Sequence, residues 1–87
     1  MELQNKNKTV LITGASTGIG KATAYYFHNK GRNVVATMRS PEKEQELKEN
    51  NSLKILKLHV EDKKSISEAV KKTLEIFGTL DILVNNA

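Results

Sequence analysis

The chain has no cysteine among its 87 residues. Disulfide cross-links and thiolate metal sites are therefore excluded, which accords with a reducing, cytoplasmic setting. Long apolar runs are also lacking. Residues 1–8 are polar and lysine-bearing, and the run that follows, Val10-Leu11-Ile12, is far too short for a signal-peptide core or a membrane span. No membrane partner is expected. Nor is charge of one sign concentrated anywhere. The net charge of +4 arises from dispersed lysines, and aromatic residues make up only 5% of the chain. Lys43, Lys48, Lys54, Lys57, Lys63, Lys64, Lys71 and Lys72 are interspersed with acids, whereas a nucleic-acid reader carries a concentrated basic stripe, often with aromatics between. Solvated helix faces account for the pattern, so no nucleic-acid partner is expected. With no repeat, low-complexity tract or linker, residues 1–87 make at most one small domain, near the lower limit for a single core.

What is present is an alternation of strand and helix signals. Thr9-Val10-Leu11-Ile12-Thr13 is a short β-branched run that reads as a strand buried on both faces. After it, Ile19, Ala22, Thr23, Tyr26 and Phe27 recur at helical spacing and predict a core-facing stripe, closed at Gly31. Asn33 through Met38 forms the second strand signal. Ser40-Pro41-Glu42 supplies an N-cap, a proline at the first helical position and an early acid. A short, shallowly packed helix over residues 43–50 follows, anchored by Leu47. Leu53 through Val60 predicts a third strand with one face partly wet. Asp62 caps a helix whose stripe is Ile66, Ala69, Val70, Thr73, Leu74 and Phe77, ended by Gly78. Residues 80–85 give a fourth strand, with Asp81 starting it and bonding locally. The order βαβαβαβ implies an α/β fold with a parallel sheet and right-handed crossovers. In a 3-2-1-4 sheet, the first two helices would cover one face and the third the other.

Between the first strand and first helix lies Thr13-Gly14-Ala15-Ser16-Thr17-Gly18-Ile19-Gly20. A chain turning there from strand to helix while its backbone approaches a pyrophosphate needs glycine at the turn, at the ligand and at the helix–strand contact. The free amides and positive end of the new helix then stabilise the anion. Ser16 and Thr17 add hydroxyl donors. Three glycines alone are a weak signal, but this loop follows a buried strand and opens a helix, the context a nucleotide-binding loop requires.

The spacing of Gly14, Gly18 and Gly20 in Thr-Gly-Ala-x-x-Gly-Ile-Gly resembles the short-chain dehydrogenase/reductase family. A second motif, Leu80-Asp81-Ile82-Leu83-Val84-Asn85-Asn86-Ala87, resembles that family's Asn-Asn-Ala-Gly segment at the end of the fourth strand. The resemblance runs from Lys8 onward. It implies the N-terminal part of a Rossmann fold, with strand order 3-2-1-4, helices on both faces, and truncation after the fourth strand. It also implies cofactor contacts at Gly14, Ser16, Thr17, Gly18, Ile19 and Gly20, and at Val60, Asn86 and Ala87.

In that family the residue ending the second strand selects the cofactor, and an acid there favours NAD. Here the position is Met38, followed by Arg39, whose guanidinium suits a phosphate and stacks on adenine. The resemblance therefore implies NADP(H) over NAD(H), with a solvated Arg39 as the alternative. The family's adenine-binding aspartate is replaced by His59, within Leu58-His59-Val60-Glu61-Asp62. A neutral imidazole still offers one acceptor nitrogen, though a surface histidine without a ligand role fits equally well.

The family's chemistry uses a Ser with a Tyr-x-x-x-Lys pair. Tyr26 and Lys30 match that spacing literally, but they lie on the helix after the glycine loop, with Tyr26 in its core-facing stripe, and are set aside as catalytic residues. His28 and Tyr25 read as packing or surface residues. The expectation is the cofactor-binding part of an NADP(H)-dependent oxidoreductase that interconverts alcohol and carbonyl by hydride transfer, itself without the catalytic residues. Its partners are a nucleotide and, in a homo-oligomeric full-length parent, a small carbonyl or alcohol. Alternatives are a non-catalytic nucleotide-binding or regulatory module and a basic interaction protein on the same scaffold. An unpaired edge at the fourth strand predicts marginal stability or association.

Overall fold

A computed structural model describes residues 7–86. Four strands, β1 (Thr9–Ile12), β2 (Asn33–Met38), β3 (Leu53–Lys57) and β4 (Ile82–Val84), form one parallel sheet in the order β3-β2-β1-β4. Two helices, α1 (Gly18–Asn29) and α2 (Lys63–Phe77), connect β1 to β2 and β3 to β4. This is the α/β order expected from the sequence.

β1 and β2 are buried along their whole length. Successive side chains of a strand point to opposite faces, and the two cores follow that alternation. Val10, Ile12, Val34, Ala36, Met38 and Leu53 pack with Ala24 of α1, joined by Phe27, Ile55, Ile82 and Val84. On the other face Leu11, Val35 and Leu58 pack with Ala69 of α2, joined by Leu56, Phe77 and Leu80. Full burial of each large aliphatic side chain contributes roughly 1.5–3 kcal/mol, so the central pair of strands carries much of the fold. β4 pairs with β1 alone among the described residues, and its Leu83 stays 64% exposed.

The expected stripe on α1 is corrected by the structure. Gly20 and Ala24 are its buried residues and Phe27 of the expected stripe packs against the same core, whereas Ile19 is 76% and Tyr26 57% exposed. The reason is the closeness of α1 to β1. A Cβ on Gly20 would run into the Gly14 carbonyl oxygen and reach within 2.7 Å of the Asn86 amide nitrogen. Only the smallest side chains fit that contact, which turns Ile19 and Tyr26 outward.

The helix expected over residues 43–50 is corrected as well. Pro41–Lys43 makes a single 3-10 turn, Ser40 forms no side-chain cap, and Glu44 leaves the turn in an extended conformation. The Glu44 carboxylate accepts from the N–H groups of Glu46 (2.9 Å) and Leu47 (2.7 Å). Such local side-chain bonds compete with helical ones. Leu47 is nevertheless the buried anchor that the sequence suggests. With that helix absent, α1 and the Leu47 segment together cover one sheet face, and α2 covers the other.

α2 starts and ends as read. Asp62 accepts from the Lys64 N–H at 3.0 Å, and Gly78 (φ +80) closes the last turn with its N–H on the Leu74 carbonyl. Its stripe is half right: Ala69 and Thr73 are buried, while Ile66 and Leu74 remain exposed. β3 and β4 are each shorter than the sequence suggests.

Candidate functional site

The C-terminal ends of β1, β2 and β3 open onto a cleft of about 700 Å³. In an open parallel sheet this is where ligands bind, outside the carboxyl ends of the strands. The glycine loop forms one wall. Gly14 and Gly18 have φ of +61 and +56, a left-handed conformation that other residues adopt at a cost. A Cβ on Gly14 would stand 2.6 Å from the Asn86 carbonyl oxygen, so this turn is pressed against the segment after β4. Around Gly18 the case is opposite: beyond its own stretch of chain, no atom of the described residues lies within 4 Å of a Cβ built there, leaving room for a ligand.

Thr13 joins the loop to that segment. Its Oγ1 accepts the Asn86 N–H (2.7 Å) and stands 3.1 Å from Asn85 Oδ1 and 3.5 Å from the Val84 carbonyl. One hydroxyl proton serves one acceptor at a time, and the shorter contact to Asn85 is the better bond. The Thr13 N–H donates to the same Val84 carbonyl at 3.0 Å, and the Asn86 side-chain amide to the Gly14 carbonyl at 3.4 Å. On the β2 side the Ala15 N–H donates to the Thr37 carbonyl (3.0 Å), and Thr37 Oγ1 donates to the Ile12 carbonyl (2.7 Å). The turn is thus held from both neighbouring strands before any ligand arrives.

The second wall is residues 38–46. Gly14, Ser16, Thr17, Met38, Arg39 and Val60 border the cleft, all but Met38 among the cofactor contacts expected from the sequence. Ile19 and Gly20 belong to the first turn of α1 beside it, and Gly20 is buried in the helix–strand contact. Asn86 braces the loop from behind. Ala87 lies outside the described residues. His59 is not brought to the cleft. Leu58 and Val60 border it, and His59 between them lines a second cavity of about 430 Å³, beside Ser65 and Lys64 of α2. There its N–H donates to Ser65 Oγ at 2.8 Å, while its Nδ1 is buried without a partner among the described residues.

Sequence reasoning missed a charged cluster in the cleft wall. Lys21 Nζ on α1 lies 3.0 Å from Glu44 Oε2 and 2.6 Å from Glu46 Oε1. The hydrogen bond to Glu46, then that to Glu44, raises the Lys21 pKa above its ordinary value. Burial pulls the Glu44 carboxyl upward, but the Leu47 N–H, Lys21 and the Glu46 N–H outweigh it, so the group lies below the usual carboxylate range. No short-range pattern announces this cluster, because α1 and the segment after β2 meet only in the fold. Arg39 and Lys43 also border the cleft and have no ion-pair partner among the described residues. Tyr26 and Lys30 lie outside it. The Lys30 ammonium sits 5.5 Å from the centre of the Tyr26 ring, a cation–π contact on the exposed side of α1.

A glycine-lined strand-to-helix turn at the carboxyl ends of a parallel sheet, with a bordering arginine, defines a dinucleotide-binding α/β protein. Comparison with known proteins gives the family. The family model described as short chain dehydrogenase matches residues 8–87, so the chain belongs to the short-chain dehydrogenase/reductase family, oxidoreductases with an NAD(P)-binding Rossmann fold. A short-chain dehydrogenase from Penicillium crustosum is 44% identical over 84 residues, which are 94% of this chain and 31% of that protein. A 3-oxoacyl-[acyl-carrier-protein] reductase from Thermotoga maritima is 42% identical over 87 residues, covering 94% of this chain and 35% of the relative. Among solved structures, a short chain dehydrogenase from Bacillus anthracis superposes with a TM-score of 0.80 at 32% identity, covering 92% of this chain and 34% of the other. The chain therefore spans about a third of the length of the relatives it matches.

Proposed function

We propose that residues 1–87 are the cofactor-binding part of an oxidoreductase that prefers NADP(H) and interconverts an alcohol and a carbonyl. The observation that carries the preference is the end of β2. Met38 stands where an acid would repel a 2′-phosphate, and Arg39 and Lys43, without an ion-pair partner among the described residues, border the cleft with Ser40 between them. The residues present fit a dinucleotide: the space beside Gly18 is free, and the Gly14 turn is braced without one. When bound, the cofactor supplies the hydride. This chain's own residues bind and orient it. The backbone at Gly14, Gly18, Ile19 and Gly20, with the Ser16 and Thr17 hydroxyls, takes the pyrophosphate at the positive end of α1. Arg39 takes the 2′-phosphate through paired N–H groups. Val60 borders the adenine end, and Asn86 and Ala87 support the nicotinamide side. His59 reaches adenine only by turning its side chain out of the second cavity.

The acid–base residues of the reaction belong, on this reading, to a longer homo-oligomeric and cytoplasmic parent, as does the site for the carbonyl compound. Titration of the chain with NADPH and with NADH, followed by nicotinamide fluorescence, tests it. Binding of NADPH at least several-fold tighter than NADH is expected, with no turnover. Equal affinities would remove the preference, and no binding of either would remove the reading.

A further inference from the structure

The cleft that we read as binding a phosphorylated dinucleotide contains a nearly buried acid. The Glu44 side chain is only 3% exposed, whereas Glu46 beside it is 72% exposed. By Coulomb's law alone, an ionised carboxylate in that wall opposes a phosphate, and removing it should tighten phosphate binding. The hydrogen bonds argue otherwise. One oxygen of Glu44, Oε2, takes the Glu46 N–H at 2.9 Å, the Leu47 N–H at 2.7 Å and the Lys21 ammonium at 3.0 Å. Leu47, the next anchor, is buried among residues of β1, β2 and β3. Among the described residues, the other backbone hydrogen bonds of the segment between β2 and Leu47 lie within its own turn, from the Lys43 N–H to the Ser40 carbonyl and from the Glu44 N–H to the Pro41 carbonyl, both at 3.0 Å. The segment has one 3-10 turn, at Pro41–Lys43, and that turn joins directly to Arg39 and Ser40.

We propose that Glu44 is a positioning residue for cofactor selectivity: its carboxylate, tied to Lys21 and to the backbone at 46–47, fixes the segment that presents Arg39, Ser40 and Lys43 to the 2′-phosphate. This rests on the NADP(H) reading above. A negative charge in the wall then promotes phosphate recognition, because a loose segment would lose more through misplaced donors than it gains in potential. Lys21 serves the strap and not the ligand, its ammonium being occupied by both carboxylates.

The ratio of NADH to NADPH dissociation constants, measured on the chain and on E44Q and E46Q, separates the two accounts. E44Q is expected to lower the ratio by about tenfold, the scale of one lost charge-assisted hydrogen bond. E46Q, which removes the same charge from an exposed position and leaves the three bonds to Glu44 Oε2 in place, lowers the ratio less than E44Q does, and an equal drop overturns the proposal. A ratio for E44Q equal to or above that of the unsubstituted chain overturns the proposal. Should E44Q fail to fold, amide hydrogen exchange on the unsubstituted chain decides. Saturating NADPH then slows the Glu46 and Leu47 amides more than saturating NADH does, and equal slowing overturns the proposal. An unsubstituted chain that binds both cofactors equally refutes the NADP(H) reading itself, an outcome distinct from a preference that E44Q fails to reduce.

Discussion

Asp81 and Thr9 are bound to each other twice. The Asp81 carboxylate accepts the Thr9 N–H at 2.9 Å, and the Asp81 N–H donates to the Thr9 carbonyl at 2.9 Å. Thr9 opens β1 and Asp81 immediately precedes β4, so the pair fixes the lateral position of the edge strand against the buried one. The sequence suggested local bonding for Asp81; the structure has that bond, from the Thr79 hydroxyl at 3.1 Å, and adds the contact across the sheet.

A pH dependence follows. The Thr9 N–H, opposed by partial burial and helped by the Thr79 hydroxyl and by Lys8, lowers the Asp81 pKa from its ordinary 3.8. A carboxyl lowered on folding contributes stability above its unfolded pKa, and that contribution is lost as pH falls through the folded one. Urea midpoints should therefore drop as pH falls below about 3.8. In D81N that portion of the slope should be missing, with a lower midpoint at pH 7. Parallel profiles for the two proteins would show that the bond does not act in this way.

Thr13 gives a test of the loop's brace. In T13V the Asn86 N–H loses its 2.7 Å acceptor, at a cost of about 1–2 kcal/mol. T13S keeps the hydroxyl and should recover most of that. Thermal melts of the three proteins check the order, and amide exchange at Asn86 should be fast only in T13V.

Two glycines of the loop should respond differently to alanine. At Gly18 the added methyl meets no atom of the described residues beyond its own stretch of chain within 4 Å, so G18A carries only the left-handed backbone cost, roughly 1–2 kcal/mol. At Gly20 the methyl meets the Gly14 carbonyl, which is backbone and cannot swing aside. G20A should exceed the ~1–3 kcal/mol usual for overpacking. Urea denaturation ranks them, and a G20A chain as stable as G18A would contradict the close helix–strand contact.

Leu47 is the test of the segment after β2. Its side chain is 3% exposed, so L47A should cost about 2–5 kcal/mol. K48A, its exposed neighbour, should stay within about 0.5 kcal/mol. Comparable losses in both would indicate a different arrangement of the segment.

The order of strands and helices was legible because each element carries a short-range signal: β-branched runs for β1 and β2, Asp62 and Gly78 around α2, three glycines at the first turn. The glycine loop was legible for the same reason, since φ > 0 and close approach restrict residue choice wherever they occur. The face of α1 was not. Hydropathy favours Ile19 and Tyr26, but the distance between helix and strand selects Gly20 and Ala24, and that distance is a property of the assembled sheet. The segment after β2 misled for a related reason. Ser40, Pro41 and Glu42 are good helix-start residues, yet Glu44 satisfies the backbone at 46–47 directly and Leu47 is drawn into the core.

By itself, then, the sequence determined the alternation of elements, the turn chemistry at the glycine loop and the absence of an acid at the end of β2. Only the tertiary structure decided which side of α1 is buried, that His59 points away from the cleft between Leu58 and Val60, and that Lys21 meets Glu44 and Glu46. Local backbone preferences act over a few residues and are written in neighbouring side chains. Helix-to-strand distance, the side of a strand end a residue faces, and contacts between remote segments exist only once the sheet has closed around its core.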